Sequence, residues 1–405
     1  MKGMGVLVQF EIKKILRKKS TWITLTLLII FQLVLSCSNY FGSMYVNGEF
    51  LETHAEAISI EQKNGRALSG EKIDSKLLLK MQEAYAHIKG QTSEEYLGTD
   101  TYNNVVRPYG GIKRTVVSIT SEAGLDFLTV REEEFYQARK DVTAMWWEAN
   151  RLTEGERQYW MNEEEHLLKP FVYQYADAYD NLLEMTGSYI ICMLVTFFLA
   201  VCISGVFAEE HVKRTDQLIL CTKNGRRKLY FAKLIAGGII TFGTTALFVA
   251  IVIGCNFAIY GSDGFTAMVQ VVCLPWYSGN MTMGQAFLIL TGLLFLALIL
   301  IGILAMVLGE LLKSSMAAMA ILIAVTFLAR IISIPYMFRG LSHAWNFIPI
   351  NLLKADQGFF DPRLISVFGV FLTNWQFAPF LYLTLGILIV FIGKGAYCKC
   401  QVKGR

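Results

Sequence analysis

From Gln285 to Gly309 the chain carries no charged side chain, and comparable runs occupy 21–40, 187–207, 234–257, 316–337 and 377–393, with Arg330 the one charge among them. Runs of about 20 apolar residues match a hydrocarbon layer about 30 Å thick. Inside such a layer every backbone N–H and C=O must be paired within its own segment, which leaves helices as the simplest solution. The expected fold is an all-α polytopic membrane protein with six transmembrane helices. A mean hydropathy of +0.42 over 405 residues, 54% of them hydrophobic, is too apolar for an ordinary soluble chain.

The segments between the runs set the orientation. Residues 1–20, the 208–233 loop and the 394–405 tail carry 17 basic and four acidic residues, whereas Ala258 to Gly284 holds no Lys or Arg. Short basic segments stay on the cytoplasmic side. Both termini are therefore expected inside a cell membrane, most simply a bacterial cytoplasmic membrane, which puts residues 41–186 outside. That insert, with 25 acidic and 15 basic residues, is expected to be a mainly helical extracellular domain. Lys76 to Lys89 places Leu77, Met81, Ala84, Tyr85 and Ile88 on one helical face. Thr129 with Glu132, and Thr153 with Glu156, have the spacing of capping boxes opening helices to about Asn150 and His166. Trp146, Trp147, Tyr159 and Trp160 are the expected core, and Pro170 is placed to start a helix running into the second span. After Arg339 the 338–376 segment stays apolar at Trp345, Phe347, Leu352, Leu364, Phe368 and Phe371 without spanning length, which suggests re-entrant helices.

Nucleotide, metal and redox chemistry have no motif here. There is no GxxxxGK[ST] loop for ATP, no HExxH among the five His, and no basic stripe for nucleic acid. Glu163-Glu164-Glu165-His166 is expected to be a solvated helix end. The eight Cys avoid the large insert, so no disulfide framework holds it, and Cys255 with Cys273 are read as packed thiols. No cofactor, metal or catalytic residue is assigned.

The loop VFAEEHVKRTDQLILCTKNGRRKLYFAK, Val206 to Lys233, is the most specific stretch, with seven basic and three acidic residues. Thr215 with Asp216 is a helix start, Leu218 and Ile219 form an apolar side, and Asn224-Gly225 is a stop. An aromatic, a small residue, Glu, a spacer ending in Thr, an apolar turn, basic residues and a closing Lys resemble the loop between the second and third spans of ABC-2 type permeases. These are the membrane subunits of ATP-binding-cassette exporters. FEIKKILRKK is similar to their N-terminal connecting helix, and PINLLKADQGFF to their outer segment.

The resemblance implies that Thr215 to Thr222 is a coupling helix seated on a separate ATPase subunit. Glu209 or Glu210 would take the family's acidic position, Thr215 its Thr, Arg226 its basic position and Lys233 its closing Lys. It also implies a second permease copy or a related permease, forming a dimer in the lipid bilayer. The cargo expected is amphipathic or hydrophobic, a peptide, antibiotic or lipid-like molecule, because no span carries a polar stripe. Arg330 is either a substrate contact or a cation reaching outward to the interface. The alternative from another class is a membrane-anchored receptor or sensor whose outer domain binds a ligand without transport.

Overall fold

The computed structural model describes residues 2–183, 187–212 and 227–398. Helix α1 (Lys2–Leu16) precedes α2 (Lys19–Cys37), and the large insert follows. Chain then returns through α9 (Ser188–Cys202) and α10 (Gly205–Val212), α11 (Arg227–Tyr260), α12 (Met283–Leu312), α13 (Ser315–Ile331) and, after a capping segment, α15 (Asn374–Cys398). Helix α12 is the hub, packed against α9, α11, α13 and α15. Buried side chains occupy 78% of the most apolar window of Ser188–His211 but 17% of that of Lys19–Tyr40. The second apolar run is thus the enclosed one, and α2 stands at the rim. Between α9 and α10 the backbone breaks at Ser204, whose hydroxyl donates to the carbonyls of Ala200 (2.6 Å) and Ser315 (3.3 Å). Gly309 of α12 lies against this break, where a Cβ would collide with the Ser204 carbonyl.

Five helical stretches among the described residues are long and apolar enough to cross a membrane: Lys19–Tyr40, Ser188–His211, Arg227–Tyr260, Met283–Leu312 and Asn374–Cys398. The expected fifth run, 316–337, is shorter than the sequence suggested. Its helix, Ser315–Ile331, has 17 residues, or about 25 Å at 1.5 Å per residue. Pro335 accounts for the early stop, since it lacks an N–H and disfavours the helical region for Ile334 before it. Arg330 consequently sits in the last turn of α13 and is exposed; it is not deep within a span.

The insert opens with a hairpin the apolar pattern did not suggest, β1 (Ser43–Val46) and β2 (Glu49–Thr53), turned by Asn47 and Gly48, both at positive φ. Asn-Gly favours this turn because both positions need left-handed backbone. Helices α3 (His54–Leu68), α4 (Ser75–Ala86), α5 (Gly110–Thr120), α6 (Glu132–Ala149), α7 (Glu154–Glu165) and α8 (Asp177–Leu183) follow. The Asp74 carboxylate caps α4 through the Leu77 N–H (2.9 Å). Glu156 accepts from the Thr153 backbone and hydroxyl, completing the expected box. The other expected box does not form at Thr129; α6 starts at Glu132, with Glu134 accepting the Arg131 N–H (3.1 Å). Pro170 does not open a helix: Lys72 pairs with Val172 in an extended ladder, and the helix begins at Asp177. Glu164 is not a free solvated acid, being paired with Arg139 (2.5 Å) and Lys169 (2.6 Å).

The core of the insert mixes aliphatic and aromatic side chains, around Leu77, Met81, Ile112, Val116, Phe135 and Phe171. The expected aromatic core lies elsewhere. Trp147 and Trp160 belong to the cluster that runs down into the spans, with Trp146 and Tyr159 packed on it. Trp160 donates to the Pro362 carbonyl (2.6 Å) and meets the Tyr277 ring at 5.6 Å. Buried Arg139 ties the insert down by donating to the carbonyls of Pro275 (2.7 Å) and Tyr277 (2.9 Å). The tryptophans therefore form the floor that joins the insert to the helical bundle. Cys255 lies in α11, and the Cys273 thiol donates to the Met283 Sδ (3.8 Å).

The capping segment before α15 holds α14 (Arg339–Asn346) and a hairpin, β3 (Ile365–Val367) with β4 (Val370–Leu372). Phe368 and Phe371 fall in that hairpin, which replaces the expected re-entrant helix there. Its anchor is the buried Arg363–Asp361 pair (2.5 Å), with Arg363 also donating to the Ser342 hydroxyl (2.7 Å).

Candidate functional site

Where α10 ends and α11 begins, an ionic junction is buried among α1, α10, α11 and α12. Residues 209 to 211 are consecutive on α10, so their side chains leave the axis about 100° apart. Each goes to a different element. Glu209 pairs with Lys18, just before α2. Glu210 takes Lys14 of α1 (3.1 Å) and Lys233 of α11 (2.6 Å). His211 meets Glu310 of α12 through Nε2 (3.0 Å).

Burial makes this arrangement demanding. Lys233 is 0% exposed, Glu210 5%, Glu11 3% and Glu310 3%, and charges removed from water are tolerated only when paired and hydrogen-bonded. Lys233 meets that demand in three ways: the Glu210 carboxylate, the Val206 carbonyl (2.8 Å) and the Phe207 ring, 4.9 Å from Nζ. Phe207 in turn packs at a tilt against Tyr230 and edge-on against Tyr397, and the Tyr230 hydroxyl donates to the Val390 carbonyl of α15 (2.7 Å). Glu11 adds a second carboxylate 3.6 Å from Lys14. Burial alone would lower the Lys14 pKa; the Glu11 and Glu210 carboxylates outweigh it and hold the ammonium above the ordinary lysine value.

Helix α1 reaches the junction because its inner stripe is short-sided. Val8 packs on Ala232 and Ala236 of α11, flanked by Met4, Leu7 and Ile12. Two alanines four residues apart leave a groove into which a helix can settle closely. Glu11 and Ile15 continue that stripe and are buried, while Val6, Phe10 and Leu16 face outward.

Of the residues singled out in the sequence, the structure brings Glu209, Glu210 and Lys233 together. It separates the two acids by role, since Glu210 is the buried partner of Lys233. Thr215, Leu218, Ile219 and Arg226 lie outside the described residues. Arg330 is at the opposite end of the bundle, in a cavity with Lys354. Glu11, Lys14, Lys18, His211 and Glu310 complete the junction and are not singled out by any sequence motif. One signal was available: Glu11 is the only acid in the basic N-terminal run and falls on the apolar stripe, seven residues after Met4 and four before Ile15.

The family model for the ABC-2 family transporter protein matches residues 133–353, more than half the chain and including α9 to α13. The chain belongs to the ABC-2 transporter family. Comparison with curated proteins and with solved structures gives no significant match. Membership makes this a multi-pass membrane component of an ABC transporter, a permease of a family that works with an ABC ATPase and is typically not catalytic itself. In this ABC-2 permease the ionic junction lies at the facing ends of α10 and α11.

Proposed function

We propose that this chain is the permease subunit of an ABC exporter that carries an amphipathic or hydrophobic molecule across the cytoplasmic membrane. In this reading α13 crosses as well, giving six spans. The termini and the 213–226 loop are cytoplasmic, the insert is extracellular, and two permease copies or related permeases enclose the path. Thr215 to Thr222 is the coupling helix, with Leu218 and Ile219 turned to the ATPase and Thr215 and Arg226 at its margins.

The observation that carries the reading is the fan of Glu209, Glu210 and His211. Displacement of the loop would load α1, α11 and α12 together through charged contacts, because paired buried charges resist separation far more than apolar contacts resist sliding. That is how a push delivered at a short loop can become a concerted tilt of spans.

The test is co-purification with the cognate ATPase. Leu218→Asp with Ile219→Asp should leave the permease inserted and monodisperse yet abolish ATPase capture and substrate-dependent ATP hydrolysis. Capture and transport at parental levels would make Thr215 to Thr222 a leaflet anchor and remove the most specific support for this reading, whereas a parent chain that captures no ATPase and moves no cargo would leave a membrane-anchored sensor as the better account.

A further inference from the structure

The insert holds a polar cavity of about 160 Å³ where α3, α5 and the first residue of α8 meet the extended chain at 173–175. Glu61, Asn64, Arg114, Tyr173, Tyr175 and Asp177 supply most of its chemistry. Two glycines make room for the tyrosines. A Cβ at Gly65 would collide with the Tyr175 ring, and one at Gly111 with the Tyr173 hydroxyl, so both positions do without a side chain to admit them. The wall is therefore part aromatic, with Tyr102 joining Tyr173 and Tyr175, and part charged.

The charged part is short of cations. Arg107 is engaged with the Glu52 carboxylate, which it meets through both terminal nitrogens (2.9 and 2.8 Å). Arg114 lies 3.8 Å from Asp177 and 3.7 Å from Asp180, one guanidinium shared between two acids. Glu61, exposed at the rim, forms no ion pair among the described residues. Partial burial of its carboxyl and the Asp177 charge hold it above the ordinary glutamate range, with Arg107 and Arg114 opposing. Burial also raises the Asp177 carboxyl, against Arg114 and the Tyr175 hydroxyl. Carboxyls held high in this way lack a positive partner. Two further groups stand ready: the hydroxyl of Tyr173, a side chain only 7% exposed, and the buried Asn64 amide nitrogen make no hydrogen bond among the described residues. Buried polar groups are seldom left so.

We infer that this cavity binds a small amino alcohol, its ammonium group held by Glu61, Asp177 and the Tyr173 hydroxyl and its own hydroxyl accepting from Asn64. Carboxylates take the N–H donors as charge-assisted hydrogen bonds, and the tyrosine rings offer the cation a favourable face. A metal ion is the poorer occupant, because no group of three His, Cys, Asp or Glu among the described residues is placed to hold one. An anion would meet the unpaired Glu61. An uncharged solute would leave the acids as short of positive charge as before. The cavity lies in the insert, apart from the junction at α10 and α11, and binding there does not depend on whether the chain transports.

The test is titration calorimetry on the full-length chain in detergent, with ethanolammonium chloride as the titrant. Ethanolammonium should bind saturably and propylammonium several-fold more weakly, whereas propionate should give only the heat of dilution. Glu61→Gln should weaken ethanolammonium about tenfold, the loss of one charge-assisted hydrogen bond, and Tyr173→Phe about threefold. Glu94→Gln, at an exposed site on the insert, should change nothing. Because Glu61 forms no ion pair, its exchange for Gln should keep the parental melting midpoint, which separates lost binding from lost folding. The absence of saturable heat with ethanolammonium, or unchanged affinity in Glu61→Gln, would overturn the inference. So would propionate binding as tightly as ethanolammonium. Equal competition by sodium or calcium would mark a counter-ion site and overturn it too, and tighter binding of glycerophosphoethanolamine would give the cavity to a lipid headgroup instead of a free solute.

Discussion

The two ends of the helical bundle treat charge in opposite ways. At the loop end, Lys233 is fully buried and held by Glu210, while at the domain end Arg330 and Lys354 line an open cavity with no ion pair among the described residues. Buried charge that is fully paired fixes the relative position of the helices bearing it. Charge left at an open mouth fixes nothing. The loop end locks its helices together, whereas the domain end leaves its two cations without that constraint.

The largest expected effect breaks the first half of that comparison. Glu210→Ala leaves the Lys233 ammonium with the Val206 carbonyl and the Phe207 ring, and should cost about 3–5 kcal/mol. A thermal melt in detergent followed by Trp fluorescence would read this. Replacing both members, Glu210→Met with Lys233→Met, should recover most of the loss, since no unpaired charge stays buried. A double variant as unstable as the single one would mean that packing, not charge pairing, holds the junction.

The second half predicts a far smaller effect. Arg330→Gln with Lys354→Gln should alter stability by no more than about 0.5 kcal/mol, as for other changes at partly exposed sites without a pairing role. The same melt measures it. A loss approaching that of Glu210→Ala would erase the distinction between the two ends.

Much of this architecture was legible in the sequence, because apolar runs of spanning length and the Thr153–Glu156 spacing are local signals with local causes. The acid that pairs with Lys233 was not, since Glu210 is chosen over Glu209 by the direction each side chain takes from α10 toward helices far away in sequence. Trp146, Trp147, Tyr159 and Trp160 were correctly expected to be partly or fully buried, but against the wrong partner. Burial is written in composition, whereas the surface that covers a residue is not. The early end of α13 and the first hairpin were both announced, by Pro335 and by Asn47-Gly48, and were masked by the apolar residues around them. Thr215, Leu218, Ile219 and Arg226 lie outside the described residues, and their part in coupling rests on the family resemblance.

The smallest effect offers the finest test, because one lysine at each end titrates with opposite sign. Lys14 has a folded-state pKa above the unfolded lysine value, since the charges of Glu11 and Glu210 prevail over burial. Its contribution is fully present below the unfolded pKa of about 10.4 and is lost as pH rises through the folded value above it. Lys354 has a folded-state pKa below the unfolded one, through burial and the Arg330 charge. Between those two values the unfolded chain binds more protons, so this residue makes stability rise with pH. Melting midpoints across the alkaline range should therefore fall less steeply after Lys14→Met than in the parent, and more steeply after Lys354→Met. If both substitutions shift the slope in the same direction, the two ends do not differ in how they hold charge, and the contrast between a paired junction and an unpaired mouth fails with them.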